Sequence, residues 1–196
     1  ICEGPKGLKI IPGGSGMHEL ANLSDWQIDS FLIKLSHLEG SADFFIIDTG
    51  AGLSKTVLSF ALSADEIIVI TTSEPTALTD AYGLIKTIRQ QRYFGKVSLV
   101  VNRVSTTAEA MIVYNKLKTA INRFLKYSID FLGAVREDQK VGEAVKEQKP
   151  FIIKYPSCEA SKDVYAMAAK LTDQEYDPPS ENGIKVFFSK VAEYFR

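Results

Sequence analysis

The sequence EIIVIT at 66–71 is followed by helical spacing over 76–92 and then by VSLVV at 97–101. Both short runs are apolar on consecutive positions, which is typical of strands covered on both faces of a sheet. Two such strands joined by a helix are the unit from which parallel sheets are built. This stretch therefore predicts an α/β fold with parallel strands.

The same alternation continues on both sides of this stretch. Further short apolar runs predict strands at 8–11, 44–47 and 131–135. Helical spacing predicts further helices at 24–38, 54–64, 108–126, 140–148 and 159–171. This order of elements predicts a doubly wound, mostly parallel sheet with helices on its faces.

The stretch DPPSEN at 177–182 cannot continue a helix or strand and therefore predicts a linker. This linker divides the chain into a domain at 1–176 and a tail at 183–196. The tail has helical periodicity and a net charge of +2, and its apolar stripe consists of Ile184, Phe187, Phe188, Val191 and Phe195. Such a helix either lies on a membrane or partner, or packs on its own domain. Because the linker separates it from the domain, we favour docking on a membrane or partner.

Composition excludes several classes of function. The 196 residues are 45% hydrophobic, and 23 Lys and Arg balance 24 Asp and Glu, so no general field draws the chain to nucleic acid. We therefore expect no nucleic-acid partner. Cys2 and Cys158 have no metal-type spacing, and neither a signal peptide nor an apolar span is present, which favours a cytoplasmic protein with free thiols.

The segment DFFIIDTGAG at 43–52 contains the first candidate for chemistry. It places a carboxylate, Asp48, at the end of an apolar run and a glycine-rich turn directly after it. Mg²⁺ in phosphate sites accepts one or two carboxylates, and the backbone N–H of Gly52 could approach a terminal phosphate. The alternative is that Asp48 caps the helix that begins near Ser54 and the glycines only turn the chain. The motif alone leaves both interpretations open.

Two later loops also follow predicted strands. Thr76 is placed as an N-cap of the helix at 76–92. Asn102 and Arg103 follow the strand at 97–101, and an amide at a strand end could read an adenine edge with one donor and one acceptor. An isolated asparagine at such a position is also a common turn residue.

In this order, the pieces resemble the MinD/ParA branch of P-loop ATPases, and in particular the flagellar regulators called FlhG. The resemblance extends over essentially the whole chain and rests on LKIIPGGSG at 8–16, IIDTGAG at 46–52, EPTALTDAY at 74–82, VVNR at 100–103, LGAVRED at 132–138, QKPF at 148–151 and the tail. The chain departs from the family at Arg136, where the family usually has proline.

The resemblance implies a switch that binds ATP and Mg²⁺ and forms a homodimer with ATP. It further implies peripheral association with the inner face of the cytoplasmic membrane through 183–196, and regulation of flagellar number or placement through flagellar assembly proteins. By the same resemblance, Asp48 is the Mg²⁺ ligand and a catalytic residue, and Gly52 senses the γ-phosphate. The base pocket would consist of Asn102, Arg103, Val135, Arg136, Glu137 and Asp138.

One element of the family pattern has no counterpart in the sequence. A phosphate-binding loop of the form G-x-x-x-x-G-K-[S/T] should precede these segments, and GGSG at 13–16 lacks the following lysine and hydroxyl residue. We therefore expect residues before Ile1 in the natural protein, and weak or no ATP binding by this chain alone. Whether the chain acts as an enzyme stays open. The alternative is a non-catalytic docking module of the same fold.

Overall fold

The computed structural model describes residues 1–12, 40, 42–172 and 184–195. The strands are β1 (Cys2–Glu3), β2 (Lys9–Ile10), β3 (Glu66–Thr71), β4 (Lys96–Val104) and β5 (Asp130–Arg136). The helices are α1 (Lys55–Ser63), α2 (Pro75–Gln90), α3 (Thr107–Leu125), α4 (Gln139–Lys146), α5 (Phe151–Lys154), α6 (Glu159–Thr172) and α7 (Ile184–Phe195). They belong to two compact units, Ala64–Pro178 and a second unit of Ile1–Ser63 with Pro179–Arg196.

The larger unit is built on a parallel sheet in the order β3-β4-β5. The central strand β4 is covered on both faces, because Leu99 and Val101 on one face and Ser98 and Val100 on the other are at most 5% exposed. The connecting helices α2 and α3 pack against the sheet and bury Ile85 and Ile121 completely. The predicted α/β fold with parallel strands is confirmed.

The strand β3 is covered on one face only. Its burial alternates, with Val69 at 3% exposure beside Ile68 at 42% and Ile70 at 65%. Within the described residues β3 is an edge strand of the sheet. The prediction of two covered faces therefore holds for β4 and is wrong for β3.

The start of α2 also differs from the prediction. The helix begins at Pro75 with Glu74 as the N-cap residue, so Thr76 lies inside the first turn. Proline suits the first helical position because its fixed φ is already helical and no backbone N–H is lost there. The assignment of Thr76 as the N-cap is wrong for this reason.

In the smaller unit, β1 and β2 form a short antiparallel pair, but 44–47 is not a strand. Phe44 is 57% exposed and Ile46 is 87% exposed. A strand needs a neighbour for its backbone hydrogen bonds, and no described strand lies beside this segment. The prediction of a strand at 44–47 is wrong for the residues that the structure describes.

An aromatic cluster joins α7 to α1 in the smaller unit. The ring of Phe60 stacks on Phe187 at 6.0 Å and meets Phe188 edge-on at 6.4 Å, while Phe45 meets Phe188 at 6.0 Å. Phe188 is 8% exposed and Val191 is 3% exposed. The predicted tail helix is present, and three members of its apolar stripe, Phe187, Phe188 and Val191, face the unit to which α7 belongs.

Some predictions fall outside the described residues. These are the loop at 13–16, the helix at 24–38 and the linker at 177–182. The division into 1–176, 177–182 and 183–196 stays a prediction. Within the described ranges, no helix has the length and hydrophobicity to cross a bilayer.

Candidate functional site

The carboxyl ends of β4 and β5 bring the predicted base-pocket residues together. Asn102 lies opposite Val135, and Val104 lies opposite Arg136. The backbone N–H of Glu137 then donates to the carbonyl of Val104 at 2.9 Å, which extends the pairing beyond the strand end. All six residues predicted for base recognition therefore lie on two adjacent strand ends, where open α/β sheets bind ligands.

Asn102 uses part of its amide for a local bond. Its Oδ1 accepts a hydrogen bond from the backbone N–H of Arg103 at 2.9 Å, and Arg103 has the left-handed φ of 57°. A register shift between Asn102 and Val104 accompanies this geometry. Among the described residues the amide NH₂ of Asn102 has no hydrogen-bond partner. The side chain thus shapes the strand end and still offers two N–H donors and an oxygen lone pair.

Arg103 and Glu137 form an ion pair across the two strand ends. The Nε of Arg103 lies 2.7 Å from Oε2 of Glu137, and this hydrogen bond raises the pKa of Arg103. The side chains are 65% and 56% exposed, so the pair contributes little to stability. The pair instead holds the two strand ends together, because it links Arg103, which follows Asn102, to Glu137 in the loop after β5.

Arg136 is held by carboxylates of α6. Its backbone N–H and Nε both donate to Oδ2 of Asp163 at 2.9 Å, and its Nη2 lies 2.7 Å from Oδ1. Nη1 pairs with Glu159. Burial alone would raise the pKa of the Asp163 carboxyl, but the hydrogen bonds from Arg136 hold that pKa below its ordinary value. A bidentate pair together with the backbone hydrogen bond thus holds the chain in place at Arg136.

Asp138 caps two helices at once. Its Oδ1 accepts from the backbone N–H of Lys140 at the start of α4 at 2.9 Å, and its Oδ2 accepts from Glu159 at the start of α6 at 3.0 Å. The hydrogen bond from Lys140 is the main cause of the lowered pKa of this carboxyl. An Asp directly before a helical run is a capping signal that the sequence already contains. We predicted Asp138 as a base contact and did not use this signal.

Replacing Asp163 by asparagine is expected to lower the free energy of unfolding by about 1–3 kcal/mol, because the charged hydrogen bonds to Arg136 are lost. Urea denaturation at neutral pH measures the change. Asp163 is suited to this test because its side chain is 16% exposed. The conservative size of asparagine limits the effect to charge and bonding.

The contribution of Asp163 to the free energy of unfolding is expected to depend on pH. A carboxyl with a depressed folded-state pKa stabilises above its unfolded pKa of about 4 and loses that contribution as the pH falls through the folded value. The gap between wild type and Asp163→Asn should therefore close in acid. Glu143→Gln is the control, because its pair with Lys140 is 45–48% exposed and is expected to contribute little. A gap of constant size across the pH range would contradict the assignment.

Asp48 and Gly52 belong to the smaller unit. Both are exposed, and within the described part of the chain the Asp48 carboxylate has no hydrogen bond or ion pair. The N-terminal cap of α1 is Ser54, whose Oγ accepts from Val57 N at 3.3 Å. The alternative in which Asp48 caps this helix is therefore wrong.

Gly52 has a φ of 100°, which L-residues with a side chain rarely adopt. No described atom lies within 4 Å of the position that a Cβ would take. There is therefore open space on the Cα side of Gly52 within the described residues. The contact of Gly52 with a phosphate stays a prediction.

The donor set at Asp48 suits Mg²⁺ held partly by phosphate. Within the described residues there is no group of three or more His, Cys, Asp or Glu that could form a complete protein cage for a metal. Mg²⁺ in nucleotide sites keeps several waters and takes one or two carboxylates together with phosphate oxygens. A single free carboxylate fits that pattern.

Comparison with known proteins decides the family. No protein-family model matches the chain. A Helicobacter pylori protein named flagellum site-determining protein YlxH is 31% identical over 200 residues, which cover 99% of this chain and 67% of that protein. The chain belongs to the MinD/ParA-type ATPase family, close to FlhG. The antiactivator FleN of Pseudomonas aeruginosa is 27% identical over 194 residues, covering 99% of this chain and 69% of FleN.

A solved MinD structure supports the fold of this MinD-type chain. The septum site-determining protein MinD of Pyrococcus horikoshii, complexed with Mg-ADP, superposes with a TM-score of 0.57 at 19% identity. The match covers 77% of this chain and 61% of that one, so the chain spans less than two thirds of the solved protein. At this identity the likeness concerns the fold, and it confirms the predicted doubly wound α/β class.

Proposed function

We propose that this chain is the switch and base-recognition part of an ATP-dependent protein that regulates flagellar number or placement. It would act through ATP-driven dimerisation, peripheral association with the cytoplasmic membrane and binding of flagellar assembly proteins. The observation that carries the proposal is the meeting of Asn102 with the loop after β5 at adjacent strand ends, in a chain whose whole length aligns with flagellar regulators.

The candidate residues of the two units would have distinct roles. The free N–H donors of Asn102 would bind adenine, beside a loop that the Arg136–Asp163 pair holds in place. Asp48 would hold Mg²⁺ through water, and the Gly52 N–H would contact the terminal phosphate. When bound, Mg²⁺ would neutralise charge on the phosphate oxygens. The phosphate-binding loop would come from residues outside this sequence, so the chain alone would bind ATP weakly or not at all.

Membrane association through α7 requires a rearrangement. Phe187, Phe188 and Val191 pack within their own unit, Phe187 and Phe188 against Phe60 of α1. The same apolar stripe cannot cover α1 and enter a bilayer at once. We therefore place α7 in a docked state here and a released state on the membrane. Two released tails in a dimer would hold a membrane more firmly than one.

A docking module without nucleotide is the second candidate. A shallow groove between α2 and α3 encloses about 240 Å³, and its lining is mostly apolar: Leu78, Thr79, Tyr82, Lys116, Leu117 and Ala120. Grooves between helices of this kind accept partner side chains. This candidate predicts binding of a partner with no dependence on nucleotide.

Calorimetric titration distinguishes the two candidates. In a protein that joins this chain to a phosphate-binding loop, Asn102→Ala is expected to weaken Mg-ATP binding about tenfold, because adenine contacts are lost, and to leave Mg-GTP binding unchanged. Asn122→Ala on the exposed face of α3 is the control. Equal ATP affinity in the Asn102 variant would reject base recognition. Absence of any nucleotide binding would favour the docking module.

A further inference from the structure

The positive charge of the chain is concentrated in one segment. Residues 81–128 contain nine Lys and Arg and a single acidic residue, Glu109, although the whole chain has a net charge of −1. The segment comprises most of α2, the strand β4 and all of α3. The overall balance of charge therefore conceals a strongly basic region within Ala64–Pro178.

The C-terminal ends of α2 and α3 lie at the same edge of the sheet, because each helix leads into a parallel strand. Contacts confirm that they are close. The Arg89 guanidinium lies 5.8 Å from the ring centre of Phe94 and 5.5 Å from that of Tyr127, whose hydroxyl donates to Gly95 O at 2.9 Å. We define the amino-edge patch as the half-buried Arg89 together with the exposed residues of this edge, Arg92, Phe94, Arg123, Phe124 and Lys126.

The patch presents two aromatic rings to solvent between cations. Phe94 is 80% exposed and Phe124 is 66% exposed, and Arg123 lies 5.3 Å from the ring centre of Phe124. Within the described residues, none of the four cations of the patch forms an ion pair with a carboxylate. Exposed phenylalanine is costly in water, and unpaired cations beside it point to an anionic surface with an apolar interior.

Two of the cations occupy strained backbone positions. Arg92 has a φ of 59° and Lys126 has a φ of 50°, and both follow the ends of helices, where glycine is the usual residue with this conformation. Cations near helix C-termini also offset the helix dipole. That effect explains the charges but not the neighbouring exposed rings.

Three acidic groups are present at the same edge: Glu66 is paired, and the exposed Asp65 and Asp130 offset only part of the charge of the four cations. Glu66 is occupied by Lys96 at 3.2 Å and by the Ser98 hydroxyl at 2.6 Å. Burial raises the pKa of Tyr127, Arg89 lowers it, and the charge of Asp130 raises it further. The pKa of Tyr93 is raised mainly by burial, then by Tyr127 and then by the charge of Asp65. The edge keeps an excess of exposed positive charge.

We propose that the amino-edge patch docks on an anionic lipid bilayer, with Phe94 and Phe124 entering the interface and the four cations contacting lipid phosphates. Phenylalanine has no hydrogen-bonding group, so its gain comes from leaving water, and lysine and arginine beside it bind anionic headgroups. Single-stranded nucleic acid would instead stack on ring faces along a groove. Here one face of each ring already carries a guanidinium.

Sedimentation with vesicles of phosphatidylcholine, alone or mixed with phosphatidylglycerol, tests the proposal on the whole chain. Two double variants are compared with wild type: Arg92→Glu with Lys126→Glu, and Phe94→Ser with Phe124→Ser. The charge variant is expected to lower binding to the mixed vesicles about tenfold and to leave the weak binding to neutral vesicles unchanged. The phenylalanine variant is expected to lower binding to both kinds of vesicle, because insertion of an apolar ring does not depend on the charge of the lipid. Lys146→Glu with Lys149→Glu makes the same change of net charge as the charge variant, away from the patch, and should retain binding.

Thermal unfolding followed by circular dichroism checks that the variants are folded, which is expected because every substituted side chain is exposed. Wild-type binding by both patch variants would overturn the proposal, as would an equal loss in the Lys146 and Lys149 control. Stronger binding to an oligonucleotide than to anionic vesicles, lost in the patch variants, would overturn the choice of lipid. The α7 helix is intact in all variants, so the outcome is independent of its release.

Discussion

Replacing Phe60 by alanine is expected to lower the free energy of unfolding by about 3–5 kcal/mol, the usual cost of removing a buried phenylalanine. Phe60 is 3% exposed and contacts the rings of both Phe187 and Phe188. It therefore carries much of the contact between α1 and α7. Urea denaturation measures the loss, and hydrogen exchange within α7 reports whether that helix has been released.

The same variant is expected to bind anionic vesicles more strongly than wild type, by about tenfold or more, because each 1.4 kcal/mol lost from docking raises the released fraction tenfold. Phe60→Leu retains most of the apolar volume and is the control. Removing residues 183–196 from the variant should abolish the increase. Unchanged vesicle binding, with α7 shown to be released by hydrogen exchange, would contradict the role of α7 at membranes.

Replacing Asp48 by alanine is expected to reduce release of phosphate from ATP about a hundredfold, in a protein where a phosphate-binding loop precedes this chain. The physical reason is that Mg²⁺ would lose the carboxylate that orients its water shell, and with it the stabilisation of charge on the transferring phosphoryl group. A coupled phosphate assay under excess Mg²⁺ measures the rate.

Asp43→Ala is the matched control, because Asp43 is another exposed carboxylate five positions earlier in the same segment. It is expected to keep the wild-type rate. Comparable rates in the Asp48 variant and wild type would remove Asp48 from the catalytic site. A loss of equal size in both variants would indicate a general effect of charge in this segment.

The path of the chain through the larger unit could be predicted from local patterns. The strand at 66–71 is β3 at the predicted bounds, and the runs at 97–101 and 131–135 lie inside β4 and β5. Burial makes such runs apolar, and the alternation with helices requires parallel pairing. The resemblance to the MinD/ParA family implied a base pocket of Asn102 and the residues at the end of β5, and the strand register brings these residues to one edge of the sheet.

Long-range partners could not be predicted from these patterns. The sequence around Arg136 did not determine the conformation of its loop. The carboxylate that binds Arg136 belongs to Asp163, which comes 27 residues later in α6. The double cap by Asp138 has the same origin, since α6 must be in place before Glu159 can donate to it. Nothing in a local window records that these elements meet.

The amino-acid sequence alone determined the α/β class and the order of its elements, because periodicity and turn chemistry are local properties. It also contains the segments that resemble those of a known family of nucleotide switches. Tertiary structure decided whether 44–47 pairs as a strand, because β structure needs a neighbour. It also decided what the apolar stripe of α7 covers. An amphipathic helix has the same pattern on a protein as on a bilayer, and only the contacts with Phe60 show that this one is docked.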